Sequence, residues 1–246
     1  MLNHFKIFKK EILNQMLKKL WGLNQVELRD RYVIKWLKKL KNNCILLDAG
    51  AGMQKYEQYC KHLEYVSQDF GKFEGGSHFR NNGMIQDWNA TNCRIISDIC
   101  MIPVNDETYD YVLCTEVFEH IPDPPRALAE LTRVLKVGGK ILITVPFSSY
   151  YHQEPYFYST GLSSYWFEFY ARENNLQICD IHANGNYYTS QAQEVVISCL
   201  TGPCMVRPLH LVLAFPYLIY LYLADKIFSF PMPRRPWGYF VTMKKS

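Results

Sequence analysis

The sequence predicts a doubly wound α/β domain, a parallel sheet with helices on both faces. Three observations carry this expectation. Residues 44–47 and 141–145 are short, uninterrupted apolar runs of the kind shown by strands buried on both faces. Gly50 and Gly52 follow the first run, at the point where the chain must turn toward a helix. Between the runs, Asp123 with Pro124 and Pro125 opens a helix whose apolar stripe is Leu128, Leu131, Val134 and Leu135, and Gly138 and Gly139 end it. Strands alternating with helices imply a sheet covered on both sides, in which ligands bind beyond the carboxyl ends of the strands.

Taken in order, the chain begins with a basic helical extension over residues 1–43, which holds 11 Lys or Arg against 3 acids in a protein of formal net charge +4. Leu13, Met16, Leu17 and Leu20, then Val33, Ile34, Trp36, Leu37 and Leu40, recur there at helical spacing with lysines between them. Two readings fit: helices covering the sheet edge and the mouth of the ligand site, or contact with a membrane surface or an anionic substrate. Charges interrupt the segment and no long apolar stretch with a small-residue cleavage site follows, so no secretory signal is expected.

Residues 44–246 form the α/β domain, with a helix expected at 161–174, a strand near 176–182 and a last strand at 238–243. A helical insertion occupies about residues 186–232. Its residues 209–224 are apolar and aromatic but contain His210 and Pro216, and fall short of the roughly 20 residues a membrane span needs. A buried or dimer-forming helix, a helix lying in the membrane plane and a true span are the three readings. The 246 residues suffice for one domain with these additions, and no internal repeat is evident. The 8 cysteines form no CxxC pair and the 7 histidines are scattered, so neither disulfides nor a metal site is expected, and free thiols imply a reducing cytoplasm.

The turn after the first strand carries the chemistry. Asp69 closes a second apolar run roughly 20 positions after the first, and a strand, a Gly-rich turn, a helix and an acid at that spacing grip a ribose by its hydroxyls. A dinucleotide site wants Gly or Ala three residues after the second glycine, where Lys55 stands, and Asp48 at the strand tip would repel a pyrophosphate. A nucleoside with a cationic amino group and no phosphate fits better, which describes S-adenosylmethionine.

Four ordered blocks resemble the class I S-adenosylmethionine-dependent methyltransferases. Asp48-Ala49-Gly50-Ala51-Gly52 looks like the family's first motif, with Asp69 as its ribose-binding acid. Residues 97–103 look like the segment whose acid, here Asp98, bonds the adenine amino group. Residues 110–121 resemble the fourth strand and the turn after it, and residues 133–146 the next helix and strand, with Val137 where the family often has Pro. The resemblance covers residues 44 to about 185. It implies a Rossmann-like sheet, S-adenosylmethionine as cofactor, and a cofactor site of Asp48, Gly50, Gly52, Asp69, Phe70, Asp98, Ile99 and Thr115.

Residues 146–160 follow the fifth strand, where the fold puts its acceptor, and contain His152, Glu154 and several phenols. They resemble a segment of type 11-like methyltransferases from bacterial cell-surface glycan clusters, which implies a glycan or small-molecule hydroxyl as acceptor. Such a transfer gains from a base that removes the hydroxyl proton. His152 is the first candidate, with Glu154 to orient it or a sugar hydroxyl; His120, after the fourth strand, is the second. Each has a plainer reading: His152 as a loop residue closing the pocket, His120 as a helix-start residue bonding backbone. Peripheral contact at the inner face of the membrane and a homodimer are further expectations. No nucleic-acid partner is expected, because no aromatic-rich RNA module accompanies the basic arm. The rival readings are a lipid or quinone methyltransferase and a catalytically idle nucleoside-binding scaffold.

Overall fold

A computed structural model describes residues 24–71, 92–201, 203–228 and 235–246. Leu13, Met16, Leu17 and Leu20 of the expected basic helices lie outside the described residues. The chain divides into two compact units, residues 31–182 with 238–246, and residues 1–30 with 183–237.

The first unit is built on a seven-stranded sheet of β1 (Ile45–Ala49), β2 (Glu64–Asp69), β3 (Ile95–Ile96), β4 (Tyr109–Thr115), β5 (Leu135–Pro146), β6 (Leu176–Asn184) and β7 (Gly238–Lys245), in the order β3-β2-β1-β4-β5-β7-β6. The first five strands pair in parallel, whereas β7 runs antiparallel to β5, so the sheet is mixed rather than parallel throughout. The reason lies in where the chain re-enters. Gly238 pairs with Pro146, the last residue of β5, and from that end β7 can only run back.

Side chains alternate across the strands and build a core on each face. On one, Leu47, Val112, Cys114, Ile141 and Ile143 meet Leu128 and Leu131 of α2 (Pro124–Val134) and Phe167 of α3 (Ser164–Glu173). On the other, Leu46, Leu113, Leu142 and Phe240 meet Val33 and Leu37 of α1 (Gln25–Leu37). Each fully buried side chain of this kind contributes roughly 1.5 to 3 kcal/mol relative to exposure. Val33 and Leu37 of the basic extension therefore pack on a sheet face, and Tyr32 beside them reaches the edge strand β6, its hydroxyl donating to Asp180 at 2.9 Å.

Two local expectations need correction. Asp123 does cap α2, accepting the Arg126 N–H at 3.2 Å, but the helix ends at Val134 and β5 begins at once. Gly138 and Gly139 lie inside β5, where the pairing with β4 is irregular between Tyr109 and Tyr111. A side chain on Gly139 would press on the backbone oxygens of Asp110 and Lys136, so these glycines serve a bulge and not a helix stop. The turn after β1 also leads to no α-helix. Gly50, Gly52 and Gln54 all take positive φ, which leaves room only for a short 3-10 turn at Glu57–Tyr59 before β2.

In the second unit, α4 (Tyr187–Thr201) and α5 (Arg207–Ile227) pack through Ala192, Val196, Leu218 and Leu221. Asn186 caps α4 by accepting the N–H groups of Tyr188 and Thr189, and its amide donates to Asp225 on α5 at 2.6 Å. At 21 residues, α5 is longer than the sequence suggests and includes Pro216 in its interior. By length and composition it is long and apolar enough to cross a membrane. Leu209, Val212, Leu213, Tyr220, Leu223 and Ile227 recur along it at helical spacing and are all exposed, Leu213 by 69%.

Candidate active site

β1, β2 and β4 end side by side at Ala49, Asp69 and Thr115, as the parallel register dictates. A cavity of about 320 Å³ opens there, and Gly50, Asp69, Phe70, Asp98, Ile99, Thr115 and His120 all line it. Gly50 sits at φ +72°, and a side chain there would collide with Val117, so close approach and backbone conformation both require glycine. Asp69 is fixed by two backbone bonds: its Oδ2 accepts the Gly52 N–H at 2.9 Å and its Oδ1 the Gly71 N–H at 3.0 Å. A carboxylate oxygen carries two acceptor positions, so each still has one for a vicinal diol. Asp98 is held by the Cys100 N–H at 2.8 Å.

Four residues singled out from sequence do not line the cavity: Asp48, Gly52, His152 and Glu154. Gly52 acts through its N–H on Asp69. Strand alternation places Asp48 on the face of Leu46, 1% exposed, where its Oδ2 accepts the Tyr65 hydroxyl at 2.6 Å and its Oδ1 has no hydrogen bond. Burial pushes its pKa up to about 7, the Tyr65 bond opposes this, and the charge on Asp69 adds to it. Asp48 is thus buried in the strand layer, whereas the sequence argument put it beside a bound cation.

The acceptor-side residues converge more closely than their spacing suggests. The His120 Nδ1–H donates to the Tyr156 carbonyl at 2.6 Å, and its Nε2 makes no hydrogen bond and lies 3.7 Å from Glu119 Oε1. Burial lowers the His120 pKa to about 4, against the pull of the Tyr156 bond and with a further push from His152, so the ring is neutral near pH 7. His152 is bonded through Nδ1 to the Tyr150 carbonyl at 2.7 Å, and its ring stands edge-on to that of His120 at 4.8 Å. The loop carrying it is tied down where the Tyr158 and Ser159 N–H groups donate to the Glu119 carbonyl. Histidines scattered in sequence therefore meet in space.

Gln68, Glu116, Val117, Ile121, Pro122, Gln153, Tyr156 and Tyr158, none of them singled out from sequence, also line the cavity. Glu116 and Val117 were readable as the residues just past β4. Gln153 and the two tyrosines depend on how the loop after β5 folds back, for which no local signal exists.

The order of the strands, the Gly-rich turn after β1 and the acid at the end of β2 give a Rossmann-like domain of the kind found in class I S-adenosylmethionine-dependent methyltransferases. Residues 31–143 match the family described as methyltransferase domain. An uncharacterised Methanocaldococcus jannaschii protein is 28% identical over 111 residues, 44% of each chain. A ubiquinone biosynthesis O-methyltransferase of Aliivibrio fischeri is 40% identical over 40 residues, 16% of this chain and 17% of that one. The match thus spans less than half the length of these curated relatives. In fold, the chain is similar to a Bacillus halodurans crystal structure provisionally assigned as a methyltransferase, at TM-score 0.52 and 16% identity over 88% of this chain and 99% of that one.

Proposed function

We propose that the protein transfers a methyl group from S-adenosylmethionine to a hydroxyl of a small-molecule or glycan acceptor, in the building of cell-surface polysaccharide at the cytoplasmic side of the membrane. The observation that carries this is one cavity lined both by ribose- and adenine-type acceptors, Asp69 and Asp98, and by a neutral imidazole, His120. The residues present fit the cofactor: the two remaining acceptor positions of Asp69 suit the ribose hydroxyls, and the cavity holds Phe70 and Ile99 as apolar walls for the base. When bound, S-adenosylmethionine supplies an electrophilic methyl group on a sulfonium. Gly50 lets backbone approach it, and Asp69 and Asp98 orient it. His120 lines the acceptor side of the cavity with His152 edge-on beside it, a pair that assists loss of the acceptor proton, and Tyr156 and Tyr158 flank the acceptor.

A second reading, a hydrophobic acceptor such as a quinol or lipid, draws on the exposed apolar stripe of α5 and on the likeness to the ubiquinone O-methyltransferase. In either reading that stripe rests on a membrane surface, and Arg207 and Lys226 at the two ends of α5 would meet anionic head groups. Purified protein incubated with methyl-labelled S-adenosylmethionine and separate sugar-nucleotide, lipid-linked sugar and quinol pools tests both. Label in a sugar hydroxyl is the expected result; label confined to quinol or lipid selects the second reading, and label in none of the pools would refute both.

A further inference from the structure

Glu119, His120 and His152 each offer one ligand atom, and these atoms all lie within 4.8 Å of one another. A carbonyl oxygen can only accept, so the short contacts of both imidazoles to the Tyr156 and Tyr150 carbonyls place the proton on Nδ1 in each ring. Both Nε2 atoms then carry lone pairs. In His120 that lone pair is buried and makes no hydrogen bond, and it lies 3.7 Å from Glu119 Oε1. Imidazoles pinned through one nitrogen to backbone carbonyls, with the other nitrogen turned toward a carboxylate, are arranged as metal ligands are.

We propose that Glu119, His120 and His152 form a binding site for a divalent first-row cation, with coordination positions left open toward the cavity for an oxygen of the acceptor. Two imidazoles and one carboxylate suit Mn²⁺, Fe²⁺ or Zn²⁺ and leave open positions in any of their usual geometries. Ligand atoms ~2.1 Å from one ion stand ~3.5 Å apart, so the set closes by about 1 Å on binding. His152 can supply that movement, being half-buried on the loop after β5, whereas Glu119 is 1% exposed and fixed at the start of the turn after β4. The inference deepens the proposed function. An acceptor hydroxyl bound to the cation loses its proton more readily, to solvent water, and the two imidazoles act by holding the ion rather than by taking the proton themselves.

The full-length protein is titrated with Mn²⁺ alone, and binding is read from the loss of the free-ion electron paramagnetic resonance signal. Mn²⁺ is chosen because it has little affinity for the chain's free thiols. One ion per chain is expected, with His152→Ala weakening it by about tenfold or more, and Glu119→Gln doing the same. His152 is the variant to trust if Glu119→Gln fails to fold. No binding, or binding that both variants leave unchanged, overturns the inference. S-adenosylmethionine titration of the same samples keeps the two proposals apart: cofactor binding without Mn²⁺ binding leaves the proposed function standing and removes the cation site, and the converse removes the proposed function alone.

Discussion

Asp48→Asn should change how the stability of the free protein depends on pH. The Asp48 carboxyl is 1% exposed, one of its oxygens has no hydrogen bond, and its pKa is pushed up to about 7 from an ordinary 3.8. Above pH 4 the unfolded chain ionises at this residue while the folded chain holds its proton. Folding is therefore favoured fully below pH 4, and the contribution is lost as pH rises through about 7. A displacement of about 3 pH units corresponds to a loss of about 4 kcal/mol at most, at 1.36 kcal/mol per unit. The asparagine cannot ionise, and its amide oxygen can still accept from Tyr65. Urea denaturation of both proteins at pH 5 and pH 8 reads the effect, with the difference between them isolating Asp48 from other titrating groups. The variant should lose less stability between the two pH values than the unsubstituted protein by a few kcal/mol. Equal losses would refute the account of a buried, destabilised carboxylate.

Asp69→Ala should weaken S-adenosylmethionine binding by about 1.5 to 3 kcal/mol, the worth of hydrogen bonds to a charged group, and calorimetry would show roughly a tenfold to hundredfold rise in Kd. His120→Ala and His152→Ala should each lower turnover by roughly 10² or more with little change in cofactor affinity, since they serve the acceptor; a fall below tenfold returns them to packing roles. Asp123→Ala removes the cap of α2 and should cost about 1 kcal/mol in thermal or chemical denaturation. Val212→Glu with Leu213→Glu, on the exposed stripe of α5, should reduce sedimentation with anionic liposomes at low salt; a chain that ignores liposomes while forming dimers would place a second copy on that stripe instead.

Much of this was legible because it depends on local pattern. The apolar runs at 44–47 and 141–145 sit in β1 and β5, and Asp69 and Gly50 reach the cavity because strand ends and tight turns leave a sequence signature. What failed to show was decided by pairing and by long-range closure. The bulge at Gly138 belongs to the register between β4 and β5, and the antiparallel course of β7 to where the chain re-enters the sheet. Asp48 was read by its place in a motif, but the two-residue period of the strand turns it away from the cavity. The meeting of His120 with His152 depends on backbone bonds from Tyr158 and Ser159 to Glu119, which no periodicity announces.

The central claim is that the cavity at the ends of β1, β2 and β4 is an S-adenosylmethionine site. Calorimetric titration of the purified chain with S-adenosylmethionine, S-adenosylhomocysteine and a nicotinamide dinucleotide tests it most directly. The account predicts one molecule of either sulfur nucleoside per chain, each displacing the other, loss of that binding when Gly50→Val fills the cavity mouth, and no binding of the dinucleotide. Tight binding of the dinucleotide, or no binding of either sulfur nucleoside, would contradict it.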